Sequence, residues 1–166
     1  TNLEETSKKI ALAAYRYGML RIDPKQDIVF DINDVTRFEG NTGPYLMYTY
    51  ARAMSIVEKS GIEASSLESN IELFENIKME EKEISLLRFM CTFSETVSLS
   101  ADTMSPHLIA NFLYDFAQKF NSFYSEVPVL NAKEDLRFFR LVLVYCSAQV
   151  IKNGLKLLGI NVVEKM

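Results

Sequence analysis

Apolar residues recur along most of this chain at intervals of three and four, the spacing that gathers them on one face of a helix. Over residues 4–20, Ile10, Ala14 and Met19 follow that period, with acids early and bases later, so a helix is expected there. Residues 27–32 (DIVFDI) are short, β-branched and alternating, which predicts an extended segment. Arg37 to Gly43 reads as a loop containing Gly40 and Gly43. Pro44 then opens a strong helix, because proline suits the first helical turn, and Gly61 ends it. Tyr45, Leu46, Tyr48, Ala53, Met54 and Val57 give that helix one broad apolar and aromatic side. Residues 64–70 read as a Ser- and Glu-rich linker, 70–77 as a short helix through Ile71, Phe74 and Ile77, and Glu80 to Leu99 as one longer helix. Ser105 is expected to cap the next helix, with Pro106 at its first position and Leu108, Phe112, Phe116, Phe120 and Phe123 along its apolar face. A turn around Pro128 leads to a last long helix, from about Lys133 to Leu158, closed by Gly159.

The pattern is all-α: five or six amphipathic helices with short connections, in a single domain spanning residues 1–166 and without internal repeats. With 48% hydrophobic residues and few Gly and Pro, the chain has the composition of a soluble globular protein. Apolar stretches such as Leu141 to Tyr145 are far too short for a membrane span. Thr1 is not followed by a charged-then-apolar leader, so no secretory signal is expected, and a start without Met fits an excised fragment. Cys91 and Cys146 sit among apolar neighbours at helical spacing and read as buried core thiols. With a single histidine beside them they cannot supply a four-ligand zinc site, and the expected compartment is the reducing cytoplasm.

The net charge of −4 argues mildly against nucleic acid, but its distribution changes the picture. Residues 58–104 carry ten acids against four bases, whereas residues 105–166 carry five acids against seven bases and residues 1–57 are balanced. The two ends together could present a neutral-to-basic face to a phosphate backbone, the alternative being an ordinary solvated surface.

Catalytic chemistry is hard to assemble. His107 is the only histidine, and two residues into a Ser-Pro-started helix it reads as exposed and structural. No Ser, His and Asp or Cys and His constellation, phosphate loop of the GxxxxGKS/T type, or GxGxxG after a strand is present. The acid run Glu80, Glu81 and Glu83 is explained by a solvated helix N-terminus. A binding module is expected, with no catalytic residue, no metal site and no cofactor in this chain.

The most informative stretch is FEGNTGPYLMYTYARAMSIVEK, residues 38–59. A glycine loop feeds a proline-started helix whose first turns carry tyrosines, followed by Arg52. Loop N–H groups near a helix start can meet phosphate, while flat rings and a planar guanidinium suit splayed RNA bases. The same residues would also serve as a turn and a core. The stretch closely resembles the arginyl-tRNA synthetase segment G-N/D-T-G-P-Y-L-Q-Y-A-H/Y-A/S-R, with Met47 in place of Gln and Thr49 in place of Ala. PHLIANFLYDFAQKFNSFYSEVPVL, residues 106–130, is similar to the family's Y-L-Y-D-L-A-x-x-F-N-x-F-Y-x-x-x-P-V-L, with Asn111-Phe112 for Arg/Lys-Tyr and Phe116 for Leu. RLVLVYCSAQVIKNGLKLLGINVVEKM, residues 140–166, resembles its carboxyl-terminal N-G-L-x-L-L-G-I ending with a final methionine.

The resemblance covers most of the chain in three ordered stretches. It implies the helical bundle of the class I aminoacyl-tRNA synthetase anticodon-binding type, here the C-terminal DALR domain. It also implies that Gly40, Asn41 and Thr42 approach the anticodon stem-loop backbone. Tyr48 and Arg52 would contact or hold anticodon-loop nucleotides, and Tyr124 and Met166, with a free carboxylate, would border a pocket for a flipped base. The parent enzyme would ligate L-arginine to tRNA(Arg) with ATP and Mg. The implied partners are tRNA(Arg) and the parent's own catalytic domain, with no membrane and no DNA. The HIGH-like and KMSKS-like signatures of that catalytic Rossmann domain are absent from these 166 residues, so the chain alone is expected to bind tRNA weakly and catalyse nothing. Two rivals remain at this point: the anticodon bundle of another class I synthetase, and a helical protein-interaction module.

Overall fold

The computed structural model describes residues 3–68 and 77–166. Among these residues the regular structure is entirely helical, in eight segments. They are α1 (Leu3–Leu20), α2 (Ile32–Val35), α3 (Gly43–Ser60), α4 (Ala64–Glu68), α5 (Glu81–Cys91), α6 (Phe93–Asp102), α7 (His107–Glu126) and α8 (Glu134–Leu157). The expected all-α bundle is what the chain forms.

Helix α3 lies at the centre, packed on α8 and α1, while α7 packs on α5, α6 and α8. Three apolar stripes meet there: Leu46, Met47, Ala53, Ile56 and Val57 from α3; Leu113, Phe116, Phe120 and Phe123 from α7; and Leu141, Val144, Ala148, Ile151 and Leu155 from α8. Each large side chain so buried contributes about 1.5–3 kcal/mol. Gly154 sets the α7–α8 approach, because a Cβ there would lie 2.6 Å from Leu113 Cδ2. Phe89, Phe112 and Phe116 form a parallel stack, with Phe89 and Phe112 centroids 4.8 Å apart, which welds α5 to α7.

Several local readings change. Residues 27–31 have no regular structure, and Asp31 starts α2 by accepting a 2.8 Å bond from the Asn33 N–H. The β-branched residues there have no neighbouring strand to pair with among the described residues, so propensity alone does not make a strand. The Ser- and Glu-rich segment after Gly61 is not a plain linker but contains α4, anchored by buried Leu67. The expected helix at 70–77 falls almost wholly outside the described residues.

The helix expected from Glu80 to Leu99 is broken at Thr92, which ends α5 and begins α6 at ψ 0°. Its hydroxyl donates to the Phe89 carbonyl at 2.8 Å, a local bond that competes with helix continuation. Ser105 does not cap α7: its hydroxyl donates to the Thr103 carbonyl, and Pro106 occupies the cap position.

The acid run is not simply solvated. Glu83 and Arg140 are buried, their Oε1 and Nε 2.6 Å apart, and Glu80 accepts from Arg140 Nη2 at 2.6 Å. His107 is half-buried, with Nε2 3.9 Å from Asp23 Oδ2, rather than exposed. Cys91 is exposed and Cys146 only partly buried, so neither is the fully buried thiol expected.

Candidate RNA-binding site

The glycine loop is pre-folded by side chains that reach into the bundle. Gly40 adopts φ +74°, a left-handed conformation that glycine takes without strain, and open space surrounds it. Thr42 caps α3: its hydroxyl accepts from the Tyr45 N–H at 3.2 Å and donates to the Arg37 carbonyl at 2.6 Å. Arg21 ties the loop to α2, donating to the Asn41 carbonyl at 2.5 Å and pairing with Asp34 at 2.6 Å.

The fully buried Tyr17 phenol lies 2.7 Å from the Ala110 carbonyl and 2.5 Å from the Asn41 side-chain amide. A phenol has one proton. If that proton goes to the carbonyl, the amide must turn its NH2 toward the phenol oxygen, the rotamer related by a half-turn. Thr42 is buried and the Asn41 side chain turns inward, so these two hold the turn while Gly40 presents its backbone outward.

Tyr48 and Arg52 stand one turn apart on α3, and Met166 folds back against the same helix. Together with Ala51, Ser55 and Lys59 they line an open depression of about 360 Å³. Tyr48 and Met166 also border an adjoining, more apolar hollow of about 530 Å³ with Ile10, Phe38 and Glu39. Phe38 and Glu39, which precede Gly40, thus share a hollow with Tyr48 of α3 and the carboxyl-terminal Met166, whereas Gly40, Asn41 and Thr42 line neither hollow.

Arg52 does not project freely into solvent. It is half-buried, with Cζ 4.9 Å from the Tyr124 ring centroid and Nη1 3.5 Å from Asn121 Oδ1. Tyr124 in turn stacks on Phe120 at 6.4 Å. Asn121 also donates to the Tyr45 hydroxyl at 2.9 Å, and burial raises the Tyr45 pKa above its usual value, which keeps that acceptor neutral. Asn121 and Tyr45 are thus parts of the site that sequence reasoning did not assign. The signal was present in NSFY, since Asn121 and Tyr124 are three residues apart on one face of α7.

The rim side chains include three bases, Arg52, Lys59 and Lys165, and one acid, Glu58, which is paired with Lys165 at 2.9 Å; the carboxylate expected at Met166 adds a second negative charge. The site is thus locally basic within an acidic chain. A separate groove of about 740 Å³ between α5 and α7, bordered by Ile84, Arg88, Phe89 and Lys119, shares no residue with it. The described residues contain no group of His, Cys, Asp and Glu able to hold a metal, and no helix long and apolar enough to cross a membrane.

Residues 46–166 match the family model described as the DALR anticodon binding domain. The chain belongs to that family. The Clostridium botulinum protein named arginine–tRNA ligase is 41% identical over 99% of this domain, which covers 28% of that protein's length. Among solved structures, the Thermus thermophilus arginyl-tRNA synthetase superposes with a TM-score of 0.89 at 33% identity, over 100% of the domain and 28% of that chain. The Plasmodium falciparum arginyl-tRNA synthetase gives a TM-score of 0.88 at 25% identity, over 100% of the domain and 29% of that chain. The domain thus spans under a third of the length of these relatives.

Proposed function

We propose that this domain reads the anticodon loop of an arginine tRNA, as part of a longer cytoplasmic protein that joins L-arginine to that tRNA with ATP and Mg. The observation that carries the reading is the convergence of Tyr48, Arg52 and Met166 on one open, basic-rimmed depression beside the glycine loop. Relatives named arginine–tRNA ligase favour arginine over other amino acids.

Each part has a role that its surroundings allow. Tyr48 is exposed and offers a ring face, worth about 1–3 kcal/mol when a base stacks on it. Arg52, held over the Tyr124 ring, presents its remaining N–H groups to a base edge or phosphate. Met166 supplies an adaptable apolar wall. Gly40 offers backbone to the stem-loop phosphates, and Asn41 and Thr42 keep that backbone in place. The activating chemistry belongs to a catalytic domain outside this chain, and the domain's contribution is to place the tRNA. Neither a membrane nor DNA enters this role.

Filter binding of the domain to an arginine tRNA and to an unrelated tRNA tests the proposal. Preference for the arginine tRNA, weakening steeply with salt, is expected. Equal binding, or none by a folded domain, overturns it and favours a protein partner.

A further inference from the structure

The carboxyl-terminal segment leaves α8 through Gly159 and is anchored by the buried side chains of Ile160 and Val163. Val163 is its last buried residue, and Glu164, Lys165 and Met166 are all exposed. Nevertheless Met166 lies against Tyr48 and forms part of both hollows. Beyond Val163 a side-chain cross-link ties the tail to the bundle: Lys165 Nζ lies 2.9 Å from Glu58 Oε1, joining the tail to the last turns of α3.

We infer that the Glu58–Lys165 ion pair is a latch that holds Met166 over the depression, making both residues positioning residues of the RNA site. The inference rests on the RNA-binding reading. The geometry fits it closely: Glu58 lies six residues after Arg52 on α3 and borders the same depression, so the latch closes the rim beside the proposed contact residues. Both partners are exposed, so the pair is salt-sensitive and weak by itself, as suits a tail that adjusts when RNA arrives.

The latch makes a prediction whose sign is opposite to that of simple electrostatics. Removing an acid from a surface that meets phosphate ordinarily strengthens RNA binding. If Glu58 positions the tail, Glu58→Gln instead weakens binding, by about twofold to fivefold. Lys165→Gln does the same, and Lys165→Arg retains wild-type behaviour.

The test uses the domain with ¹³C-methyl methionine, followed by NMR, and titration with an anticodon stem-loop RNA carrying an arginine anticodon. In Glu58→Gln the Met166 methyl is expected to move toward its free-chain shift and sharpen, and RNA affinity to fall. An unchanged Met166 methyl overturns the latch. A released methyl with equal or tighter RNA binding overturns the positioning role. If the wild-type domain ignores the RNA, the functional reading and the positioning role fail together, while the methyl still reports whether the pair holds the tail.

Discussion

Arg52 lies over the ring of Tyr124, its guanidinium carbon 4.9 Å from the ring centroid, so a cation of α3 rests on an aromatic of α7. The Asn121 amide lies at the edge of the same guanidinium and also holds the Tyr45 hydroxyl. The arrangement fixes the plane of a flexible side chain before any ligand arrives, which lowers the entropy lost on binding.

Tyr124→Phe should therefore leave RNA affinity within about twofold, because the ring persists, whereas Tyr124→Leu should weaken it about threefold to tenfold. Filter binding with an arginine tRNA measures both. A large loss in the Phe variant would move the contact from the ring to the hydroxyl.

The Glu83–Arg140 pair is a different kind of charge contact, with side chains 0% and 3% exposed. Arg140→Met strands a buried carboxylate and should cost about 3–5 kcal/mol in urea unfolding. The double variant Glu83→Gln, Arg140→Met should lose less than the sum of the single losses, because each single change already removes the contact the two share. Additive losses would show that the two side chains act independently.

Tyr17 gives a pH dependence. Burial pushes its phenol far above the ordinary value of 10.0, so the folded chain holds the neutral form. The unfolded chain releases that proton near pH 10, so the contribution is complete below that pH and is lost as pH rises above it. Burial raises Tyr45 and Tyr50 as well and adds to the same slope. Between about pH 9 and about pH 11, wild-type stability should fall more steeply than that of Tyr17→Phe. The variant starts about 0.5–1.5 kcal/mol lower for its lost hydrogen bonds. Parallel curves from urea melts would refute the assignment.

Gly43 is where α3 crosses α1, and a Cβ there would fall inside the contact radius of the Ala13 carbonyl oxygen. The obstacle is backbone and cannot rotate away. Gly43→Ala should cost about 1–3 kcal/mol and lower the thermal midpoint. An unchanged midpoint would mean that the two helices separate without penalty.

The long helices were legible because their apolar residues repeat over many turns: α1, α3, α7 and α8 follow from Ile10, Leu46, Phe116 and Leu143 and their periodic neighbours. Gly61 and Gly159 mark helix ends with positive φ, as read. What escaped was decided by tertiary partners. Nothing in the acid run announces that Glu83 meets Arg140, fifty-seven residues away. The break at Thr92 is accompanied by a hydroxyl bond to the Phe89 carbonyl, and Cys91 beside it is exposed. At the candidate site, Tyr48, Arg52 and Met166, singled out through motifs, line one depression, while Tyr124 lines neither hollow and reaches the group only through its contact with Arg52. Asn121 was missed because its partners, Tyr45 and Arg52, lie on a different helix.

Arg16 of α1 donates to the carbonyl of Gly159, the residue that turns the chain out of its last helix. The first and last helices are thereby fastened to each other near the point where the tail departs. That contact sits seven residues before Met166, so the course of the tail starts from a point tied to α1. The two ends of the domain are thus stitched to each other at one point, and Arg16→Ala would leave the exit of the tail without its tie to the first helix.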